Sequence, residues 1–391
     1  MSLHRPALVL PWVLALGATA VSEEPPPKAA AAAPRDVAAL LRPIRTKHDL
    51  PGMAGAIVTG GALEAIGADG VRERGKPDAV TTGDLWHLGS CTKSMTATLV
   101  AMLVEQGKLK WGTTVADVFP DVKEMDPGWR GVTLEHLVTN HGGAPANLDA
   151  DGLWGRLWAP NVAPVRLRRM LVEGVLRHAP DPKPGTKFVY SNAGFAIAGA
   201  MAETAMKEPW ESLIAKRVFA PLDMKSAGFG APGSKDVLDQ PRGHRADGRP
   251  VPPGPGADNP AAIGPAGTVH CAIGDWAKYV QAHLTGETKE KARLLPASSF
   301  VRLHTPVADD SGYAMGWAVT NREWAGKPGR TLTHTGSNTM WFCVTWIAPE
   351  KDFAVLVTCN QGGDVAAKAC DEASWALIQD HLAQAKETGS K

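Results

Sequence analysis

The chain has no excess of either charge. Lys and Arg number 41 against 40 Asp and Glu, a formal net charge of +1 over 391 residues. No block of five like charges occurs, so the electrostatic footprint of a nucleic-acid binder, or of a protein held to an anionic membrane, is missing. Cysteine is scarce as well. Cys91, Cys271, Cys343, Cys359 and Cys370 are odd in number, and no two have zinc-ligand spacing. A chain of this length builds a core without covalent staples, so buried free thiols are expected. One disulfide is conceivable, between Cys343 and Cys359 on successive strands, and a one-residue slip of register would put the two on opposite faces.

Long apolar runs are also few. One, from Ala7 to Ala18, follows His4 and Arg5 and leads into Ala18-Thr19-Ala20, a small-x-small cleavage pattern. Residues 1–22 therefore read as a secretory signal peptide, too short for a comfortable membrane span. Residues 23–35, with EEPPPKAAAAAP, read as a Pro/Ala-rich linker. No second run of spanning length follows. The expectation is an exported protein, periplasmic or secreted, with no stable membrane span after signal removal. Oligomeric state is not written in the sequence.

What is present is two ends with strand and helix patterns around a different middle. Val37, Leu40, Leu41 and Ile44 make one helical stripe, stopped by Leu50-Pro51-Gly52. MAGAIVTGGALEAIGADG reads as strand, Gly-Gly turn and strand. Ser94 to Gln106 is apolar nearly all round, the mark of a helix buried on every side, with Gly107 as its stop. From about Val115 to about Asp310 the chain turns rich in Pro, Gly and Trp, with short helical patches such as Ala193–Ala205 and Asp275–Leu284. Arg245 to Pro260 has no periodicity and reads as loop. At the end, MWFCVTWIAP and FAVLVTCN form a hairpin, and Ala366, Ala369, Ala373, Ala376 and Leu377 mark one face of a last helix.

These elements predict an α/β (α+β) fold. An antiparallel sheet is built from both chain ends, residues 36–114 and 311–385, and flanked by helices. A mainly helical domain, residues 115–310, is inserted between them, and 386–391 form a tail. A site is expected in the cleft between the two parts.

Three short motifs carry chemistry. In LWHLGSCTKSMTATLV, Ser90 opens the buried helix and Lys93 stands three residues on, on the same helix face, within reach of the serine hydroxyl. A hydroxyl attacks only when something takes its proton. Burial and the helix N-terminus both lower a lysine pKa, which suits Lys93 to that task. In FVYSNAGFAIAG, Tyr190 and Asn192 stand at the mouth of a small-residue helix. The phenol is a candidate proton carrier, and the amide can bind both a lysine and a substrate carbonyl. The chain has only three Tyr, so Tyr-x-Asn is uncommon in it. In TLTHTGSNTMWF, His334, Thr335 and Gly336 lie between β-prone runs, where Gly lets a backbone approach a ligand closely. Taken singly, each motif fits an ordinary role: a helix cap with a solvated lysine, a core tyrosine, a strand histidine.

In order along one chain, Ser-x-x-Lys, Tyr-x-Asn and basic-Thr-Gly form the signature of the penicillin-recognising serine enzymes. The chain resembles the class C β-lactamase-like serine hydrolases, which include class C β-lactamases, D-alanyl-D-alanine carboxypeptidases, D-aminopeptidases and β-lactamase-fold esterases. The likeness runs from about Ile44 to about Gln379 and extends to GVTLEHLVTN, PGTKFVYSNAGFAIAG, PLDMKSAGFG and GPAGTVHCAIGDWAKYV. It implies that Ser90 is acylated, that Lys93 and Tyr190 share the base work, and that Asn192 holds Lys93 and the substrate amide. It also implies an oxyanion hole made by the backbone N–H groups of Ser90 and Ser337, with no metal or organic cofactor. The substrate would be a small ester, amide or peptide.

One position departs from the pattern. β-Lactamases of this type and the carboxypeptidases carry Lys-Thr-Gly where this chain has His334-Thr335-Gly336. Histidine is a cation only near or below its ordinary pKa, and it is frequent here in the family's esterases and aminopeptidases. An esterase, amidase or peptidase is therefore expected ahead of a strong β-lactamase. A cell-wall D-Ala carboxypeptidase or a β-lactamase is the alternative. A non-catalytic ligand-binding protein on the same fold is the reading from another class. The absence of Gly-x-Ser-x-Gly and His-Glu-x-x-His argues against an α/β-hydrolase and against the commonest zinc peptidases. Of thirteen Trp, Trp86, Trp111, Trp317, Trp341 and Trp346 are expected in the core, while Trp154 and Trp158 could form an apolar wall of the pocket.

Overall fold

In the computed structural model, Met1 and residues 33–288, 293–307 and 311–389 are described. The signal segment and nearly all of the linker lie outside the described residues. Among those described, the largest sheet has seven strands: Arg35–Asp36 (β1), Gly52–Thr59 (β2), Leu63–Gly70 (β3), Ala318–Asn321 (β4), Arg330–Ser337 (β5), Phe342–Ala348 (β6) and Phe353–Cys359 (β7). Their order is β1-β3-β2-β7-β6-β5-β4. Every pairing is antiparallel except that of β1 with β3. The two ends of the chain meet where Ala56 faces Leu356 and Ile57 faces Val355. Arg35, expected in the linker, belongs to the sheet. Its guanidinium holds Asp380 at 2.7 Å and Glu64 at 3.1 Å.

Side-chain alternation along each strand fills both faces. Met53, Ile57, Val355 and Val357 pack under the helices Ala38–Lys47 (α1) and Asp364–Gly389 (α4). Gly55 lets that layer close: a Cβ there would stand 3.0 Å from Leu377 and 3.1 Å from Leu41. Both leucines are fully buried, worth about 1.5–3 kcal/mol each. Ala54, Ala56, Val58 and Leu356 point the other way, into the larger core. The buried helix Thr92–Glu105 (α2) belongs to that core, as does Ile273–Gly286 (α3), which packs on β2 and β7. Helix α3, from within residues 115–310, covers the second face of the sheet.

Register decides the cysteines. Phe342 faces Cys359 and Cys343 faces Thr358, so Cys343 and Cys359 stand on opposite faces and the disulfide considered for them is excluded. All five thiols are free and buried. Cys343 instead approaches Cys91, and Cys359 approaches Cys370, each pair at 3.6 Å between sulfurs.

A second, three-stranded sheet joins Leu85–His87 to Val269–Ala272 and Gly228–Phe229. It ties the segment just before Ser90 to the middle of the chain, and Leu88 N donates to Val269 O at 2.8 Å. Residues 245–260, expected as loop, are largely irregular, with a two-residue strand at Pro250–Val251 and a single turn at Pro255–Ala257.

Candidate active site

Ser90 lies in the 3₁₀ turn Gly89–Cys91, which runs straight into α2. The turn is possible because residue 89 has no side chain. Its φ is +46°, and a Cβ there would fall 2.3 Å from Ser337 N. Gly336 answers from β5, where a Cβ would lie 2.0 Å from Leu88 O. The two glycines therefore bring the serine turn and the end of β5 into backbone contact. The segments that carry the N–H groups of Ser90 and Ser337 lie side by side.

One helical turn on, Lys93 is fully buried. Its Nζ lies 2.6 Å from Asn192 Oδ1, 2.9 Å from Ala266 O and 3.0 Å from Ser90 Oγ. Burial lowers its pKa from 10.5 to about 7. The amide oxygen and the carbonyl can only accept, so two N–H bonds are committed to them. In the neutral amine the lone pair is then left for the third direction, toward Ser90 Oγ. This arrangement can take the serine proton.

Tyr190 borders the same space. The residue is 38% exposed, yet the surrounding protein strips enough water from the hydroxyl to push the phenol up to about 12, and a hydrogen bond with Ser90 opposes that shift. Lys93 Nζ stands 4.7 Å from the ring centroid. Tyr190 is thus a protonated phenol at neutral pH, suited to giving a proton and receiving one back. The corner that presents it is pinned by capping. Ser191 Oγ accepts from Gly194 N at 3.2 Å and donates to Pro145 O at 2.6 Å, and Ser191 N donates to Asn140 Oδ1 at 3.1 Å. The helix Asn192–Met206 starts there, with Asn192 turned to Lys93.

On β5 the alternation puts His334 and Gly336 inside and Thr335 and Ser337 at the surface. Pairing of β4 with β5 ends at Thr333. His334 does not present a free ring nitrogen. Nδ1 lies 2.6 Å from Thr335 O and therefore carries a proton, and Nε2 lies 3.3 Å from the Tyr313 hydroxyl. Burial raises the Tyr313 pKa well above its ordinary value, so this phenol keeps its proton and can donate it to a neutral Nε2.

The structure brings Ser90, Lys93, Tyr190 and Asn192 together, with the β5 segment His334, Thr335, Gly336 and Ser337 against them through Gly89 and the Tyr190 ring. Sequence reasoning gave no role to Ala266, which acts through its backbone oxygen, or to Tyr313, whose hydroxyl meets His334. Trp154 lines a small cavity beside Asn192 together with Asn147, Leu148 and Asp149. Its edge-on neighbour Trp158, 5.8 Å away between ring centroids, lines a separate cavity of about 440 Å³. Trp86, Trp317 and Trp341 are buried in the core, and Trp111 and Trp346 pack partly buried against it.

The chain is similar to known proteins over most of its length. The Beta-lactamase family profile matches residues 37–378. Penicillin-binding protein 4 of Amycolatopsis lactamdurans is 29% identical over 331 residues, spanning 82% of this chain and 83% of that protein. A Beta-lactamase of Escherichia coli (strain K12) is 26% identical over 245 residues, spanning 62% of this chain and 59% of that protein. Among solved structures, D-alanine carboxypeptidase AmpC from Burkholderia cenocepacia superposes with a TM-score of 0.67 at 21% identity, covering 86% of this chain and 97% of that one. At that identity it speaks for the fold alone.

Proposed function

The chain belongs to the Beta-lactamase family, and from that premise we propose that it is a serine hydrolase that cleaves an ester or amide through a Ser90 acyl-enzyme. The observation that carries the reading is the set of three contacts around the Lys93 amine. Two acceptors hold it and the third direction faces Ser90 Oγ.

The steps follow from the groups present. Neutral Lys93 takes the Ser90 proton as Oγ attacks the carbonyl carbon. The oxyanion that forms is met by the N–H groups of Ser90 and Ser337, one such donor being worth about 3 kcal/mol. Tyr190 gives its proton to the leaving oxygen or nitrogen as the acyl bond breaks, and Lys93 restores it. In the second half a water attacks the acyl-enzyme, its proton passing to the Tyr190–Lys93 pair, and Ser90 leaves with a proton returned. Asn192 Oδ1 is spent on Lys93, which frees its N–H₂ for the substrate carbonyl. The stretch of β5 beyond Thr333, unpaired with β4, favours a substrate with an amide that can lie along it.

His334 bears on the substrate. With Nδ1 turned to a backbone oxygen and Nε2 to Tyr313, both ring nitrogens are engaged and neither is free for a β-lactam or peptide carboxylate. This favours esters, amides and peptides recognised by other means. The relatives named penicillin-binding protein and Beta-lactamase favour the second reading, a D-Ala carboxypeptidase or β-lactamase. Export to the periplasm or medium belongs to the proposal and rests on the apolar segment before residue 22 alone.

The test is intact mass of the purified protein after a fluorophosphonate and, separately, after a penicillin. Labelling by the fluorophosphonate that disappears in Ser90→Ala is expected. No label on the wild type, or a label that survives in Ser90→Ala, removes the proposal. A penicillin adduct or penicilloic acid raises the second reading over the first.

A further inference from the structure

The loop of residues 245–260 and His87, a residue with no role so far, meet directly beneath the serine turn. His87 is fully buried. Its Nδ1 accepts from Gly89 N at 3.0 Å. A nitrogen that accepts carries no proton, so the proton of the neutral ring sits on Nε2. Nε2 lies 2.7 Å from Asp258 Oδ1, a close polar contact that does not meet hydrogen-bond geometry. The same Oδ1 accepts from Asn259 N at 2.7 Å and from Asn338 Nδ2 at 3.2 Å. Asn338 follows Ser337 at the end of β5, and its Oδ1 takes Met340 N at 3.2 Å. Asn259 Nδ2 in turn donates to Gly267 O at 2.9 Å, next to the Ala266 carbonyl that holds Lys93. Asp258 and Asn338 are themselves buried.

We propose that Asp258 is a positioning residue that braces the oxyanion hole, through His87 to the Ser90 turn and through Asn338 to the Ser337 strand end. The inference rests on the serine-hydrolase reading above. The two N–H groups that meet an oxyanion sit on separate pieces of backbone. The contact between Gly89 and Gly336 stops these pieces from coming closer, and against drifting apart they have the weak thiol bonds from Cys91 Sγ to His334 O at 3.6 Å and from Cys343 Sγ to Leu88 O at 3.2 Å. Asp258 adds a charged restraint to these, since one carboxylate oxygen contacts His87 under the serine turn and accepts from Asn338 beyond the strand end. The requirement is steep, because donors must lie within a few tenths of an ångström of the developing charge. A buried carboxylate costs free energy unless it is partnered, and the side-chain donor to Oδ1 is Asn338, next to Ser337.

The test uses the full-length protein with a p-nitrophenyl ester and a boronic acid that forms a tetrahedral serine adduct. Asp258→Ala is expected to lower kcat at least tenfold with KM within threefold, and to weaken the boronic acid by the same factor. Asp258→Asn keeps an oxygen at the junction and is expected to recover most of both. Asn338→Ala cuts the strand side, together with the bond of Asn338 Nδ2 to Ala257 O at 3.2 Å, leaves the His87 contact in place, and is expected to reproduce the split between kcat and KM. It decides alone if Asp258→Ala does not fold. Folded Asp258→Ala or Asn338→Ala with kcat within threefold of wild type overturns the brace, as does a loss of kcat with unchanged boronic acid affinity. A wild type that neither turns over esters nor reacts with a fluorophosphonate overturns the underlying reading and the brace with it. A reactive wild type with unaffected variants removes the brace alone.

Discussion

Burying Lys93 writes a proton into the folding equilibrium. The unfolded chain holds that proton up to an ordinary lysine pKa of 10.5, whereas the folded protein gives it up at about 7. Between those values the unfolded state binds one proton more than the folded state, so stability rises with pH across that window. Below pH 7 both states are protonated and the burial penalty is constant. The slope is about 1.4 kcal/mol per pH unit, and the whole span amounts to about 5 kcal/mol. Replacing Lys93 by Met removes the slope. It also leaves Asn192 Oδ1 and Ala266 O without their donor, a pH-independent loss of about 1–3 kcal/mol each. The slope, not the offset, is therefore the quantity to read. Urea unfolding followed by the fluorescence of the thirteen Trp, at pH 6, 7, 8 and 9, gives it for both proteins. The difference between wild type and Lys93→Met should stay flat from pH 6 to 7. It should then move by about 2–3 kcal/mol in favour of wild type by pH 9. Groups that do not interact with Lys93 cancel, among them the Cys271 thiol that burial pushes up. The Cys91 thiol, raised by burial but pulled down to about 6 by hydrogen bonds with Cys343 and His334 and by the charge of Lys93, is followed separately in Cys91→Ala backgrounds of both proteins. A difference that stays flat from pH 7 to 9 would mean that the folded protein keeps Lys93 charged, and Lys93 could not then be the base.

The same titration should appear in turnover. kcat/KM for an ester should rise through about pH 7 and lose that limb in Lys93→Arg. No Tyr190 limb is expected up to pH 9.5, because its phenol is pushed up to about 12; a pH–rate profile checks both. Gly336→Ala places a methyl 2.0 Å from Leu88 O and should lower kcat by about 10²–10³, the cost of one misplaced oxyanion donor. Steady-state kinetics and a thermal melt of the variant measure it. Away from the site, Arg168 is fully buried with Glu203 at 2.7 Å and Glu211 at 2.8 Å. Glu203→Ala removes the more buried partner and should destabilise the fold by about 3–5 kcal/mol, read from urea midpoints at constant slope.

Much of this protein is legible in the sequence, because its strongest signals are local. The α1 stripe, the Gly-Gly hairpin, the buried α2, the C-terminal hairpin and helix α4 are each set by the spacing of apolar residues within one segment. They stand where the spacing put them, within a few residues. The chemistry is legible for a related reason. Ser90 and Lys93 are one helical turn apart, and Tyr190 and Asn192 flank a single cap, so each pair is held by local geometry. Even the histidine that replaces lysine at 334 is visible without coordinates.

What the sequence left open depends on segments far apart in the chain. Whether Cys343 can reach Cys359 turns on the register of β6 against β7, which is fixed by packing on both faces of the sheet. Helix α3 reads as a short helical patch of the middle segment, and only the tertiary structure lays it on β2 and β7. Ala266 gives Lys93 a backbone oxygen, and every residue has one, so no side-chain pattern could mark it. Tyr313 meets His334 across 21 residues, and Asp258 reaches His87 across the whole middle segment. The sequence alone determined the kinds of residue available and their local pairing, because propensity and spacing act over one or two turns. Only the tertiary structure decided which acceptors surround the Lys93 amine and which groups occupy the His334 ring, because those partners are brought together by the burial of surfaces distant in sequence.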